Sequence, residues 1–158
     1  MIKCKMYKRI PKIISMSKYI MKFDGCSKGN PGHSGAGAVI YKDDVEIWTD
    51  SKYIGNYKTN NEAEYSALIL GLYQARNLSI DELLVCGDSQ IVIRQMMQEY
   101  KVKSEKLIPL YTEAAYISKD IKQIKFQHIY REQNQRADQL ANLSIINLFK
   151  YETLRTRN

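Results

Sequence analysis

Four acidic residues stand in distinctive settings along this chain. Asp24 lies in Phe23-Asp24-Gly25-Cys26-Ser27-Lys28-Gly29-Asn30-Pro31-Gly32, and Glu64 closes Thr59-Asn60-Asn61-Glu62-Ala63-Glu64. Asp88 ends a hydrophobic run ahead of Ser89-Gln90, and Asp138 sits in Asn134-Gln135-Arg136-Ala137-Asp138-Gln139-Leu140-Ala141-Asn142. Carboxylates gathered by a fold repel one another unless protons or cations neutralise them. Hard oxygen ligands are what magnesium takes, and two such ions can run phosphodiester hydrolysis. Each acid also has a local explanation. Asp24-Gly25 suits a turn, and Asn61 with Glu64 has the spacing of a helix capping box, Asn replacing Ser or Thr. Asp88 suits a helix N-cap, and Asp138 a solvated helix face.

The elements that must carry these acids follow from hydrophobic period and turn signals. Tyr19 to Phe23 reads as a strand ending at Asp24-Gly25. Five glycines and Pro31 make segment 25–37 turn, and Ala36 to Tyr41 and Val45 to Asp50 read as the next two strands. Short connections make these three an antiparallel meander. From Asn61 to about Asn77 the apolar spacing turns helical. Leu83 to Cys86 is a short, wholly apolar strand, as expected where both faces are buried. A helix from Ser89 to about Tyr100 follows, then another over roughly 105–119, which Pro109 either starts late or kinks. Ile124 to Tyr130 alternates like a strand, and Gln135 to about Phe149 forms the last helix. A helix between two strands favours their parallel pairing. The expectation is an α/β domain with a five-stranded mixed sheet, in the order βββαβααβα, flanked by helices. Strands one and four would end at one edge of the sheet with Asp24 and Asp88, where α/β sites gather. Glu64 and Asp138 would stand near the first turns of the helices that follow.

Composition narrows the class. The 158 residues suffice for one domain with a core, and 44% are hydrophobic. No apolar run approaches the ~18 residues of a membrane span. Three cysteines, Cys4, Cys26 and Cys86, form no C-x-x-C pair, which argues against a disulfide framework or zinc site and for a reducing intracellular setting, cytoplasmic or nuclear. The formal charge is +7, and residues 1–22 hold seven basic residues and no acid, so the rest of the chain is neutral. A basic arm suits contact with a polyanion. A solubilising tail or an organelle-targeting peptide would also use such a composition, though the arm is rich in Lys rather than Arg. The organisation read from the chain is a basic extension over 1–17, a domain over 18–149 and a tail over 150–158.

Taken together, the four acidic motifs resemble the type 1 ribonuclease H family over about residues 18–145. That family carries Asp, Glu, Asp, Asp in this order. The first lies in D-G-[SC]-x-x-G-N-P-G, matched from Asp24 to Gly32, and the second in T-N-N-x-x-E, matched from Thr59 to Glu64. The third ends a strand as D-S-Q, matched by Asp88-Ser89-Gln90. The fourth follows R-E-x-N, matched by Arg131 to Asn134, with A-D-x-L-A-N at Ala137 to Asn142. The resemblance implies a ribonuclease H-like fold and a monomeric endonuclease cutting the RNA strand of RNA–DNA hybrids to 5′-phosphate and 3′-hydroxyl ends.

By the same resemblance, Asp24, Glu64, Asp88 and Asp138 would hold two Mg²⁺ ions, or Mn²⁺. Gly25, Ser27, Asn30, Asn60, Asn61 and Gln90 would contact the substrate, and Thr59 a phosphate of the DNA strand. Asparagine amides suit 2′-hydroxyls in a minor groove, the group that separates RNA from DNA. His128, ten residues before Asp138, matches the position of a histidine that serves proton transfer or product release in many members. The best-known of these carry it on a glycine-containing loop that this chain lacks, and a strand-face histidine is the alternative. The basic helix and loop of some members is missing, since Tyr100 to Lys106 is too short for it; the N-terminal arm would compensate in part. Competing readings are a non-cleaving nucleic-acid-binding module of the same fold, another nuclease of the superfamily, and a ribonuclease H domain from a reverse transcriptase.

Overall fold

The computed structural model describes residues 18–156. The basic extension expected over 1–17 and the end of the tail lie outside them. Strands β1 (Tyr19–Lys28), β2 (Gly32–Lys42) and β3 (Val45–Lys58) come first, then helix α1 (Asn60–Asn77) and strand β4 (Glu82–Gly87). Helices α2 (Gln90–Met96) and α3 (Ile108–Ser118), strand β5 (Gln123–His128), a 3₁₀ turn (Arg131–Gln133) and helix α4 (Gln135–Arg155) complete the order. This is the expected βββαβααβα sequence.

The five strands form one mixed sheet in the order β3-β2-β1-β4-β5. β1, β2 and β3 pair antiparallel, while β4 is parallel to both β1 and β5. Alternate residues of β1 therefore serve different layers. Met21 and Phe23 pack with Ile40, Val85 and the α1 side chains Tyr65, Leu68 and Leu72, all fully buried. Each large apolar side chain so buried stabilises the fold by about 1.5–3 kcal/mol. α3 packs on α1, and α4 covers β2 with parts of β1 and β3.

Several boundaries differ from the expectation. β1 does not end at Asp24-Gly25: it runs on to Lys28 because β2 pairs with it through Lys28↔His33, so only Gly29 to Pro31 turn. β3 runs to Lys58 rather than Asp50, held by β2 through an irregular register that alternation alone cannot reveal. α2 ends at Met96, and Gln98 then takes a left-handed φ of 62°, which stops a helix. Pro109 lies at the start of α3, so it begins the helix rather than kinking it. α4 continues past Phe149 to Arg155 because no Gly or Pro interrupts its residues. Among the described residues, no helix is long and apolar enough to cross a membrane.

Candidate active site

Register creates the site. Phe23 pairs with Gly87, the last residue of β4, so Asp24 and Asp88 lie at the level where β4 has ended. Asp24 is thus in the middle of β1, not at its end as expected; it is the parallel pairing with β4 that stops beside it. Asp24 pairs with Gly37 and Gly25 with Ala36, so the two neighbours point to opposite faces. Gly25 lies against the backbone of Ala63 and Glu64, where a Cβ would collide, so α1 approaches close enough to bring Glu64 beside Asp24. On the other face, Gly37 lies against the backbone of Ala137 and Ala141, which seats α4 and hence Asp138.

Carboxylate oxygens of Asp24, Glu64 and Asp88 lie within 4.8 Å of one another. Asp24 and Glu64 are only 5% and 3% exposed. Burial, followed by the neighbouring Asp88 charge, pushes the Asp24 carboxyl up to about 7. Burial, then Asp24 and Asp88, holds Glu64 well above the usual carboxylate range, although the Gly25 backbone N–H donates to it. Asp88 is raised by burial, against the opposing Arg131 charge and a hydrogen bond from Asn134. Asp138 stands outside the tight triad but borders the same cleft and interacts with Asp24. Its side chain is 30% exposed, with Oδ1 3.4 Å from the Arg131 guanidinium.

The local explanations of the acids are corrected by the helix ends. The capping box of α1 is Thr59 with Glu62, not Asn61 with Glu64: the Thr59 backbone N–H donates to the Glu62 carboxylate at 2.8 Å, and Thr59 Oγ1 accepts from the Glu62 backbone N–H. Glu64 is thereby free of any capping role. Ser89, not Asp88, caps α2.

The cleft, of about 430 Å³, is lined by Asp24, Gly25, Asn60, Glu64, Asp88 and Asp138 together with His128 and Arg131. His128 ends β5, which stops short of the expected Tyr130, with Nε2 3.1 Å from the Asp88 carbonyl oxygen. Asn30 Oδ1 accepts from the Asn60 backbone N–H at 2.9 Å, which clips the β1–β2 turn to the start of α1. Ser27 Oγ donates to the Lys58 carbonyl at 2.7 Å in the same corner. Asn61 is half-buried and Gln90 exposed, on the first turns of α1 and α2. Gly25, Ser27, Asn30, Thr59, Asn60 and Asn61 thus gather where β1, β2 and α1 meet, while Gln90 lies with His128 along a shallower hollow. Sequence reasoning assigned no role to Cys26, Arg131 or Asn134, which line or support the cleft. The R-E-x-N run ahead of Asp138 was the signal for the last two.

The donor set suits a hard divalent cation: three convergent carboxylates that repel one another, with Glu64 Oε2 buried and lacking a hydrogen-bond partner among the described residues. Fold and site together define an α/β domain of the ribonuclease H-like class. Residues 22–144 match the family described as reverse transcriptase-like. The bifunctional protein Rv2228c of Mycobacterium tuberculosis is 39% identical over 126 residues, 79% of this chain and 35% of that protein. The solved N-terminal ribonuclease H domain of Rv2228c superposes with a TM-score of 0.81 at 36% identity, covering 86% of this chain and 99% of that one. Ribonuclease HI of Halobacterium salinarum is 34% identical over 76% of this chain and 60% of its own length. LC11-RNase H1, solved in complex with an RNA/DNA hybrid, has a TM-score of 0.78 at 37% identity, over 84% and 99% of the two chains. The chain belongs to the type 1 ribonuclease H family. It spans about a third of the length of the mycobacterial relative.

Proposed function

We propose that this protein hydrolyses the RNA strand of RNA–DNA hybrids, leaving 5′-phosphate and 3′-hydroxyl ends. The observation that carries the reading is the triad of buried Asp24 and Glu64 with half-buried Asp88, with Asp138 on the same cleft, beside an asparagine-rich corner. Family membership and the hybrid bound by LC11-RNase H1 support it.

Asp24, Glu64, Asp88 and Asp138 would hold two magnesium ions, which when bound supply an activated water and charge stabilisation at the leaving 3′ oxygen. Asp24 and Glu64 must give up their protons for this role, which their mutual repulsion resists until a cation is present. Asn30, clipped to Asn60, presents a rigid polar corner to the hybrid's minor groove, with Asn61 and Gln90 beside it. Thr59 meets a DNA-strand phosphate at the N-terminus of α1, where backbone N–H groups favour an anion. His128, held at the Asp88 carbonyl and exposed at the rim, accepts or returns a proton near the departing product. The basic residues 1–17 add phosphate contacts; deleting them should make affinity for hybrid less salt-dependent, and an unchanged slope would remove that role.

The test is incubation with end-labelled hybrid, double-stranded RNA and double-stranded DNA, with magnesium or EDTA. Only the RNA of the hybrid should be cut. Asp24→Asn should bind hybrid without cutting it. Cleavage that persists in EDTA, or in Asp24→Asn, overturns the metal assignment.

A further inference from the structure

Asn134 is fully buried between the 3₁₀ turn and α4, yet its side chain does not cap the helix it precedes. Its Nδ2 instead donates to the carbonyl oxygen of Phe23, the residue before Asp24, at 2.8 Å. The same amide faces the Asp88 carboxylate. Its backbone carbonyl accepts the Asp138 N–H at 3.1 Å, the first helical bond of α4. One residue is therefore bonded to the strand position of Asp24 and to the helix turn of Asp138, and faces the side chain of Asp88.

The amide's orientation is determined by these partners. Turned over, its oxygen would face the Phe23 carbonyl and the Asp88 carboxylate, acceptor against acceptor. Held as it is, Oδ1 is buried with no hydrogen-bond partner among the described residues. An orphaned buried acceptor is unfavourable. The amide thus serves the two carboxylate-bearing strands at the expense of its own oxygen, a pattern expected where geometry matters more than local stability.

We propose that Asn134 is a positioning residue that sets the spacing of Asp24, Asp88 and Asp138 for divalent cations. It touches neither substrate nor reacting atoms and acts through the carboxylates. The inference rests on the metal-dependent reading of the site, and it predicts a defect in metal affinity more than in hybrid binding.

The test uses the full chain as wild type, Asn134→Ala and Asn134→Ser. Ile117→Ala serves as a destabilised control, because Ile117 is fully buried in α3 and away from the cleft. Mg²⁺ and Mn²⁺ binding is followed by calorimetry, alongside the magnesium dependence of hybrid cleavage and the melting temperature. Both Asn134 variants should need about 10- to 100-fold more magnesium for half-saturation in either assay. KM for hybrid should stay within about twofold, and excess magnesium should restore most of the turnover, a pattern expected of a residue supporting metal ligands. Ile117→Ala should melt lower with an unchanged magnesium midpoint. Asn134 variants that behave like Ile117→Ala overturn the proposal, as does a wild type that binds neither cation. If the wild type binds cations but cuts no hybrid, the proposed activity fails while the calorimetric comparison still decides the role of Asn134. Should Asn134→Ala not fold, the serine variant carries the measurement.

Discussion

Helices α1 and α4 each bring one acid to the cleft, and each sits on the sheet through a glycine, Gly25 under α1 and Gly37 under α4. Beyond that they differ. α1 starts with a complete capping box and delivers Glu64 into a nearly solvent-free position against Asp24. α4 starts without a side-chain cap, after a 3₁₀ turn, and delivers Asp138 to the rim beside the exposed Arg131. The α1 side is a rigid wall whose acid is held against electrostatic repulsion. The α4 side presents an acid whose neighbours include solvent and an exposed arginine. For the proposed reaction, a site that admits both cations and a bulky hybrid would gain from having one fixed side and one accessible side.

Exchanging the two acids for amides tests this contrast most strongly. Glu64→Gln should lower kcat for hybrid cleavage on the order of 10³-fold, about 4 kcal/mol of lost transition-state stabilisation. Asp138→Asn should cost about 10- to 100-fold, roughly 1.4–2.8 kcal/mol. Equal losses in single-turnover assays would break the distinction between wall and rim. The glycine seats come next. Gly25→Ala forces a methyl into the α1 backbone and should cost about 1–3 kcal/mol in denaturant unfolding, with a weakened magnesium midpoint as Glu64 is displaced. A variant that loses stability but binds magnesium normally would show that α1 can shift without moving its acid.

A third measurement uses pH. The folded Asp24 carboxyl titrates near 7 against an ordinary value of 3.8, so between those values the folded chain binds more protons than the unfolded one. Without divalent cations, Asp24 should therefore make stability fall as pH rises from about 4 to 7, and the raised Glu64 adds to the fall in the same sense. Magnesium competes with those protons, so its apparent affinity should rise through the same window and its presence should flatten the slope. Melting curves at pH 5, 6, 7 and 8, with magnesium or EDTA, check the sign; a melting temperature that climbs with pH in EDTA contradicts it. The smallest effect belongs to the cap. Glu62→Ala removes one half of the α1 capping box and should cost about 1 kcal/mol, or roughly 2–4 °C in melting temperature. Cleavage at saturating hybrid should stay within about twofold by steady-state assay; a larger loss would mean that the cap also orders Thr59 for substrate.

Much of this organisation was legible in the residues. The hydrophobic period of β4 and α1 and the Gly-Asn-Pro-Gly turn placed the elements in order, and the four acidic motifs marked the site. Boundaries were less legible wherever a partner strand, and not local pattern, determines the ending. β1 outlasts its Asp-Gly signal because β2 pairs along it, and Ser51 to Lys58 extend β3 by pairing with β2 despite a weak alternation of their own. The cap was misread for a related reason: Thr59 and Asn61 both suit an N-cap, and only the chain's path out of β3 selects Thr59.

The sequence by itself determined which groups are available: four carboxylates, an asparagine-rich corner and a histidine, each attached to an element of predictable type. Tertiary structure alone decided which of them meet. Asp24 and Asp88 are neighbours because parallel pairing stops at Phe23 and Gly87, and Glu64 reaches them because Gly25 has no side chain to hold α1 away. Burial then raises Asp24 and Glu64 far above their ordinary ionisation. The physical reason is that charge repulsion and desolvation act over a few ångströms between residues tens of positions apart in the chain, a proximity that composition and spacing do not encode.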